Sequence, residues 1–123
     1  MAKTDRRSAG DEAEQLVVER LEREGWVIRA RNVVYPRGEL DVVAEKGEVL
    51  AFVEVRMRRS TLWGDPSATV SVTKQRKVML AAMQYVQQHQ LERRVIRFDV
   101  ASVVGRGHEG HVELIPHAFE ATL

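Results

Sequence analysis

Asp41, Glu54 and Arg56 are the residues on which chemistry can be built in this chain. Asp41 stands in GELDVVA, and Glu54 in LAFVEVRMRR, an apolar run that ends in Glu54, Arg56, Arg58 and Arg59. Lys46-Gly47 reads as the tip of a tight hairpin between the two runs. A two-residue turn there places Asp41 opposite Phe52 and Glu39 opposite Glu54. Side chains alternate along a strand, so Glu39, Asp41, Glu54 and Arg56 project from one face. Val49, Ala51, Val53, Val55 and Met57 form an apolar opposite face. Asp41 and Glu54 are then diagonal neighbours, roughly 7–8 Å apart at Cα, and their carboxylates can converge. Acids brought together on a sheet need a compensating cation. Either Arg56 and Arg58 neutralise them as a salt-bridged strand end, or a divalent ion does. Carboxylate oxygens suit Mg²⁺ or Mn²⁺, and such an ion activates water for hydrolysis.

A second set of charges lies further on. Lys74, Arg76 and Lys77 fall in the first turns of a predicted helix, where cations oppose the helix dipole. Either this is a solvated basic face, or it is held for an anion docked at the helix start. Arg58 and Arg59 are its counterpart on the strand. Trp63, in the loop between the two sets, either covers a core edge or stacks on a base. Asp99 lies on an apolar strand and is expected to pair with a nearby arginine. The histidines lack metal-ligand spacing; His108 and His111 read as exposed, and His89 ends a helix.

The elements that must position these residues follow from periodicity. Residues 1–7 read as a frayed leader. Ala13, Leu16, Val17 and Leu21 recur at helical spacing from Ser8, and Gly25 supplies the stop. WVIRARNVVY, ELDVVAEK and VLAFVEVRM read as three strands, with a turn at Pro36-Arg37-Gly38. A loop over 59–70 leads to a long helix capped by Ser71 or Thr73, with Val78, Ala81, Ala82, Tyr85 and Val86 on its apolar stripe. VIRFDVASV is a fourth strand, and HVELI a last one before a short tail. The order αβββαβ(β) gives an α/β fold, a mixed sheet flanked by helices.

Composition bounds the rest. A chain of 123 residues is expected to form one domain. Hydrophobic residues make up 44% and charged residues 30%, as in folded globular proteins. There is no cysteine, which excludes disulfides and Cys-based zinc sites and suits a reducing cytoplasm. No apolar run is long enough for a membrane span, and the polar leader has no signal-peptide core. A net charge of +1 leaves nucleic-acid binding to local clustering.

The runs Gly38-Glu39-Leu40-Asp41 and Val53-Glu54-Val55-Arg56 resemble the D…E-x-K signature of the restriction-endonuclease-like, PD-(D/E)xK superfamily. The ordered set is more specific. Ala13-Glu14, Leu21, Gly25-Trp26, Arg31-Asn32, GELDVVA, FVEVR, WGDPSATV-x-x-x-K and RFDV together resemble the YraN family of small bacterial endonuclease-like proteins, from about Ala13 to Phe119. The resemblance implies a restriction-endonuclease-like fold and phosphodiester hydrolysis. It implies that Asp41, Glu54 and the Val55 carbonyl hold Mg²⁺ or Mn²⁺, with Glu14 or Glu39 completing the site. It implies a nucleic acid, DNA above all, as partner, gripped by Arg58, Arg59, Lys74, Arg76, Lys77 and Trp63. A homodimer would meet both strands of a duplex. Arg56 departs from the superfamily lysine: it grips phosphate but stays protonated, so it cannot act as a base. Lys74 is the alternative source of an amine, and a binding module without catalysis is the alternative function.

Overall fold

The computed structural model describes residues 9–58, 70–105 and 110–121. The 1–7 leader, Arg59, Trp63 and His108 lie outside the described residues. Helix α1 covers Ala9–Arg23. Strands β1 (Val27–Tyr35), β2 (Gly38–Lys46) and β3 (Val49–Arg58) follow as an antiparallel meander. Helix α2 (Val72–Gln88) leads to β4 (Val95–Val104), which pairs parallel with β3, and β5 (His111–Phe119) closes the sheet antiparallel to β4. The sheet order is β1-β2-β3-β4-β5, a mixed sheet with a helix on each face, consistent with a restriction-endonuclease-like fold. Among the described residues no helix is long and apolar enough to cross a membrane.

Each helix starts and stops for a chemical reason. Gly25 takes φ +94, and the N–H groups of Gly25 and Trp26 turn back to the carbonyls of Glu22 and Leu21. This is the left-handed stop that glycine alone adopts without strain. At α2, Ser71 is the cap: its Oγ accepts the Lys74 N–H at 3.1 Å.

Burial divides the core into two layers. Ala13, Val17, Val18 and Leu21 of α1 pack on Val42, Ala44, Ala51, Val53, Ala101 and Val103. On the other face Val78, Met79, Ala82 and Tyr85 of α2 pack on Leu40, Val43, Leu50, Phe52 and Phe98. Phe52 is the hub of this layer, edge-on to Tyr85 and stacked on Phe98. Each such large side chain contributes about 1.5–3 kcal/mol on burial.

The hairpin differs from expectation in two ways. Its tip is Gly47-Glu48, with Gly47 at φ +59, one residue later than Lys46-Gly47. Every pair therefore moves by two, and Val43, not Asp41, faces Phe52. A shift of two keeps each side chain on its face, so the alternation of β3 survives. The second difference is a break in β2. Val42 and Ala44 belong to the α1 layer, but Leu40 belongs to the α2 layer, so alternation slips at Asp41. The β1 partner slips at the same level. Arg31 pairs with Val42 and Val33 with Leu40, which leaves Asn32 opposite Asp41, and Asn32 is left-handed at φ 52. The shared kink turns the end of the β1–β2 hairpin toward α2. There Gly38 lies so close to α2 that a Cβ would stand 2.3 Å from the Lys77 carbonyl oxygen.

The last strand also runs further than HVELI, through Pro116 to Phe119. Proline is tolerated because β5 is an edge strand and needs no outward donor. The register of β5 shifts there, and the His117 N–H bonds to Asp99 Oδ1 at 3.2 Å.

Candidate functional site

The kink at Asp41 creates the site. The β2–β3 ladder ends at Val42–Val53, so the next residues of β3 lose their neighbour on that side. Asp41 fills the gap with its side chain: Oδ2 accepts the Val55 N–H at 2.9 Å. That bond fixes the carboxylate beside Glu54, and the protonated Glu54 can donate a hydrogen bond to it. Asp41 and Glu54 therefore meet, although not by the diagonal pairing the hairpin arithmetic suggested. Glu39 does not join them. It is exposed and pairs with Val34 of β1, beyond the point where β2 leaves β3.

Glu54 is only 4% exposed, and its surroundings set its proton affinity. Its pKa is raised to about 7, by burial first and then by the Asp41 charge and hydrogen bond, against the opposing pull of Lys74 and Arg56. Both cations approach the same oxygen: Lys74 Nζ lies 3.6 Å and Arg56 Nη1 3.8 Å from Glu54 Oε2. At those distances they act through charge more than through hydrogen bonds. Lys74 comes from the first turn of α2, whose Ser71 cap fixes that turn over the strand ends. The structure thus brings Asp41, Glu54, Val55, Arg56 and Lys74 together from β2, β3 and α2.

Glu14 approaches from the other face of the sheet. It shares a polar cavity of about 230 Å³ with Asp41, Val55, Asn32 and Asp11. Its Oε1 accepts from Arg31 Nε at 2.9 Å and from Asn32 Nδ2 at 3.0 Å. Among the described residues no three acidic, histidine or cysteine side chains form a ready metal cluster. The Asp41–Glu54 pair still fits a hard divalent cation in its chemistry. Mg²⁺ is commonly held by one or two carboxylates, with water and phosphate oxygens in the remaining positions. A buried acid that retains its proton near neutrality is also a group that a cation would relieve.

Arg76 and Lys77 are exposed on the first turns of α2, and Arg58 ends β3. Arg59 and Trp63 fall outside the described residues, so their part in a binding surface rests on the sequence. Asp99 is a structural acid, held bidentately by Arg97 at 2.9 and 2.8 Å. The guanidinium of Arg97 lies over the Trp26 ring at 5.1 Å, and Trp26 packs against the α1 layer. His111 is exposed and His89 caps the C-terminus of α2, as read.

Two site neighbours escaped the sequence reading. Asn32 entered it only as part of a motif; an asparagine inside a β-forming run is the signal, because asparagine tolerates left-handed backbone. Ser102 lies beside Arg56 in the parallel register. It is fully buried, and its Oγ has no hydrogen-bond partner among the described residues. Nothing in its sequence context marks it.

Comparison with known proteins bears on the whole constellation. The family model described as "Uncharacterised protein family UPF0102" matches residues 13–103, which span Glu14, Asp41, Glu54, Arg56 and Lys74. A UPF0102 protein of Myxococcus xanthus is 51% identical over 120 residues, covering 98% of this chain and 95% of the relative. One from Syntrophotalea carbinolica is 42% identical over 94% of each chain. One from Desulfosudis oleivorans is 40% identical over 96% of this chain and 94% of its own. With the ordered motifs, the fold and near full-length identity in agreement, the chain belongs to the UPF0102 (YraN) family.

Proposed function

We propose that the chain is a Mg²⁺- or Mn²⁺-dependent nuclease that hydrolyses the phosphodiester backbone of nucleic acid, DNA in particular. The observation that carries this reading is the buried Glu54 beside the half-buried Asp41, with Lys74 and Arg56 at one edge. Asp41, Glu54 and the Val55 carbonyl would hold the cation. When bound, such an ion polarises a phosphoryl oxygen and lowers the pKa of an attacking water. Lys74 and Arg56 have a different task. With Glu54 engaged by the cation, both positive charges stand beside the phosphate that binds there. Arg56 stays protonated and stabilises charge. Lys74 brings a second positive charge and N–H donors to the reacting group. Arg58, Arg76 and Lys77 extend the positive surface along the backbone and make affinity fall with salt. A cysteine-free chain suits work in the cytoplasm.

The test is cleavage of DNA and RNA duplexes, branched and single strands with Mg²⁺ or Mn²⁺, beside Glu54→Gln and Asp41→Asn. Loss of cleavage in both variants is expected. Equal cleavage by parent and variants would refute the site. One observation favours a second reading, a nucleic-acid-binding module without catalysis: Arg56 stands where the superfamily pattern has lysine. Gel-shift binding that depends on salt but not metal, with cleavage appearing only in Arg56→Lys, would select that reading.

A further inference from the structure

Glu14 is 6% exposed, yet its carboxylate is used from one side only. Arg31 Nε and Asn32 Nδ2 both donate to Oε1, and Oε2 takes no hydrogen bond among the described residues. Each carboxylate oxygen has lone pairs to satisfy, so Oε2 keeps its acceptor capacity. Two donors on one oxygen orient the group and leave the other free. That is the arrangement by which outer partners aim a metal-binding side chain. The carboxylate lines the same cavity as Asp41 and Val55.

Asn32 can reach Glu14 because of its backbone. It sits at φ 52, directly across the β1–β2 ladder from Asp41. Asparagine is among the few non-glycine residues that adopt this backbone readily. Here the same residue kinks β1 opposite Asp41 and supplies the amide to Glu14.

Resting on the proposed cation site, we infer that Asn32 is a positioning residue: with Arg31 it holds Glu14 by one oxygen and presents the other to the cavity lined by Asp41. Glu14 then faces Asp41 and Val55 across that cavity from the α1 side. Asn32 lines the same cavity, and its amide acts through Glu14.

Mn²⁺ titration of the full chain, read by calorimetry and by the electron-spin signal of free Mn²⁺, tests this with no substrate present. Asn32→Gly removes the amide but tolerates the backbone; Asn32→Ala removes the amide and adds strain. Both are expected to weaken Mn²⁺ binding about 10- to 100-fold, while the alanine lowers the unfolding midpoint more than the glycine does. Glu14→Gln should weaken binding to a similar extent, and Asn32→Gly in that background should cause no further loss. If Asn32→Gly binds Mn²⁺ as the parent does while Glu14→Gln is weakened, the positioning role is overturned and the cation site stands. If Asn32→Gly and Glu14→Gln weaken binding additively, Asn32 does not act through Glu14 and the inference fails. If the parent binds no Mn²⁺, the cation site itself falls and takes the inference with it.

Discussion

Replacing Glu54 with glutamine should stabilise the metal-free chain, and only at high pH. The unfolded chain ionises this carboxyl near 4.5, whereas the folded chain retains its proton to about 7 because Glu54 is buried beside Asp41. Between those values the folded state binds the extra proton, so stability falls as pH rises, and above the folded pKa the whole loss is felt. Each tenfold change in proton affinity is worth about 1.4 kcal/mol, which makes the loss about 3 kcal/mol at pH 8. Glutamine has the same shape, never ionises, and can still donate to Asp41. The variant should therefore unfold about 3 kcal/mol later than the parent in urea at pH 8, or roughly 10 °C higher on heating. At pH 5 the gap should shrink below about 1 kcal/mol, because the parent then carries the proton itself. Saturating Mn²⁺ should close the gap at pH 8, since an ion at a hundred times its Kd adds about 2.7 kcal/mol to the parent alone. Equal stability at pH 8, or a gap that ignores pH, would refute the electrostatic account of this pair.

Other perturbations separate the parts of the site. Lys74→Gln removes a cation that opposes the rise of the Glu54 pKa. The decline of stability should still begin near the unfolded pKa but continue to higher pH and reach a larger total loss, and the salt slope of nucleic-acid binding should fall by about one. Gly38→Ala places a methyl group against the Lys77 carbonyl and should cost about 1–3 kcal/mol in urea unfolding. Phe52→Ala empties the hub of the α2 layer and should cost about 3–5 kcal/mol by the same measurement.

The sequence carried much of this arrangement because its signals were local. The apolar spacing of α1, the glycine at 25, the serine cap at 71 and the alternation of β3 each depend on a few adjacent residues, and each appears where it was read. The meeting of Asp41 and Glu54 was reached through a register two residues off, which succeeded because faces repeat every two residues. What stayed hidden was non-local. The kink depends on Asn32 and Asp41 breaking step together across two strands. The grip of Arg31 and Asn32 on Glu14 joins a helix to a strand 17 and 18 residues further along the chain. The extension of β5 past Pro116 depends on its being at an edge, which no stretch of β5 alone reveals. Lys74 beside Glu54 was drawn from family pattern, and the packing of α2 on the sheet supplies its physical reason.

The same irregularities govern how copies of this molecule meet. Both margins of the sheet are spoiled for a stranger's backbone. On β1 a bulge at Arg29 and the reversed twist at Asn32 interrupt the outward row of donors and acceptors. On β5 the ring of Pro116 and the left-handed His117 do likewise. A neighbouring chain can find no long straight template to extend, which is how sheets resist runaway edge-to-edge aggregation. Of the two interrupted edges this sheet offers to neighbouring copies, one is broken by the very bend that shapes its acidic hollow.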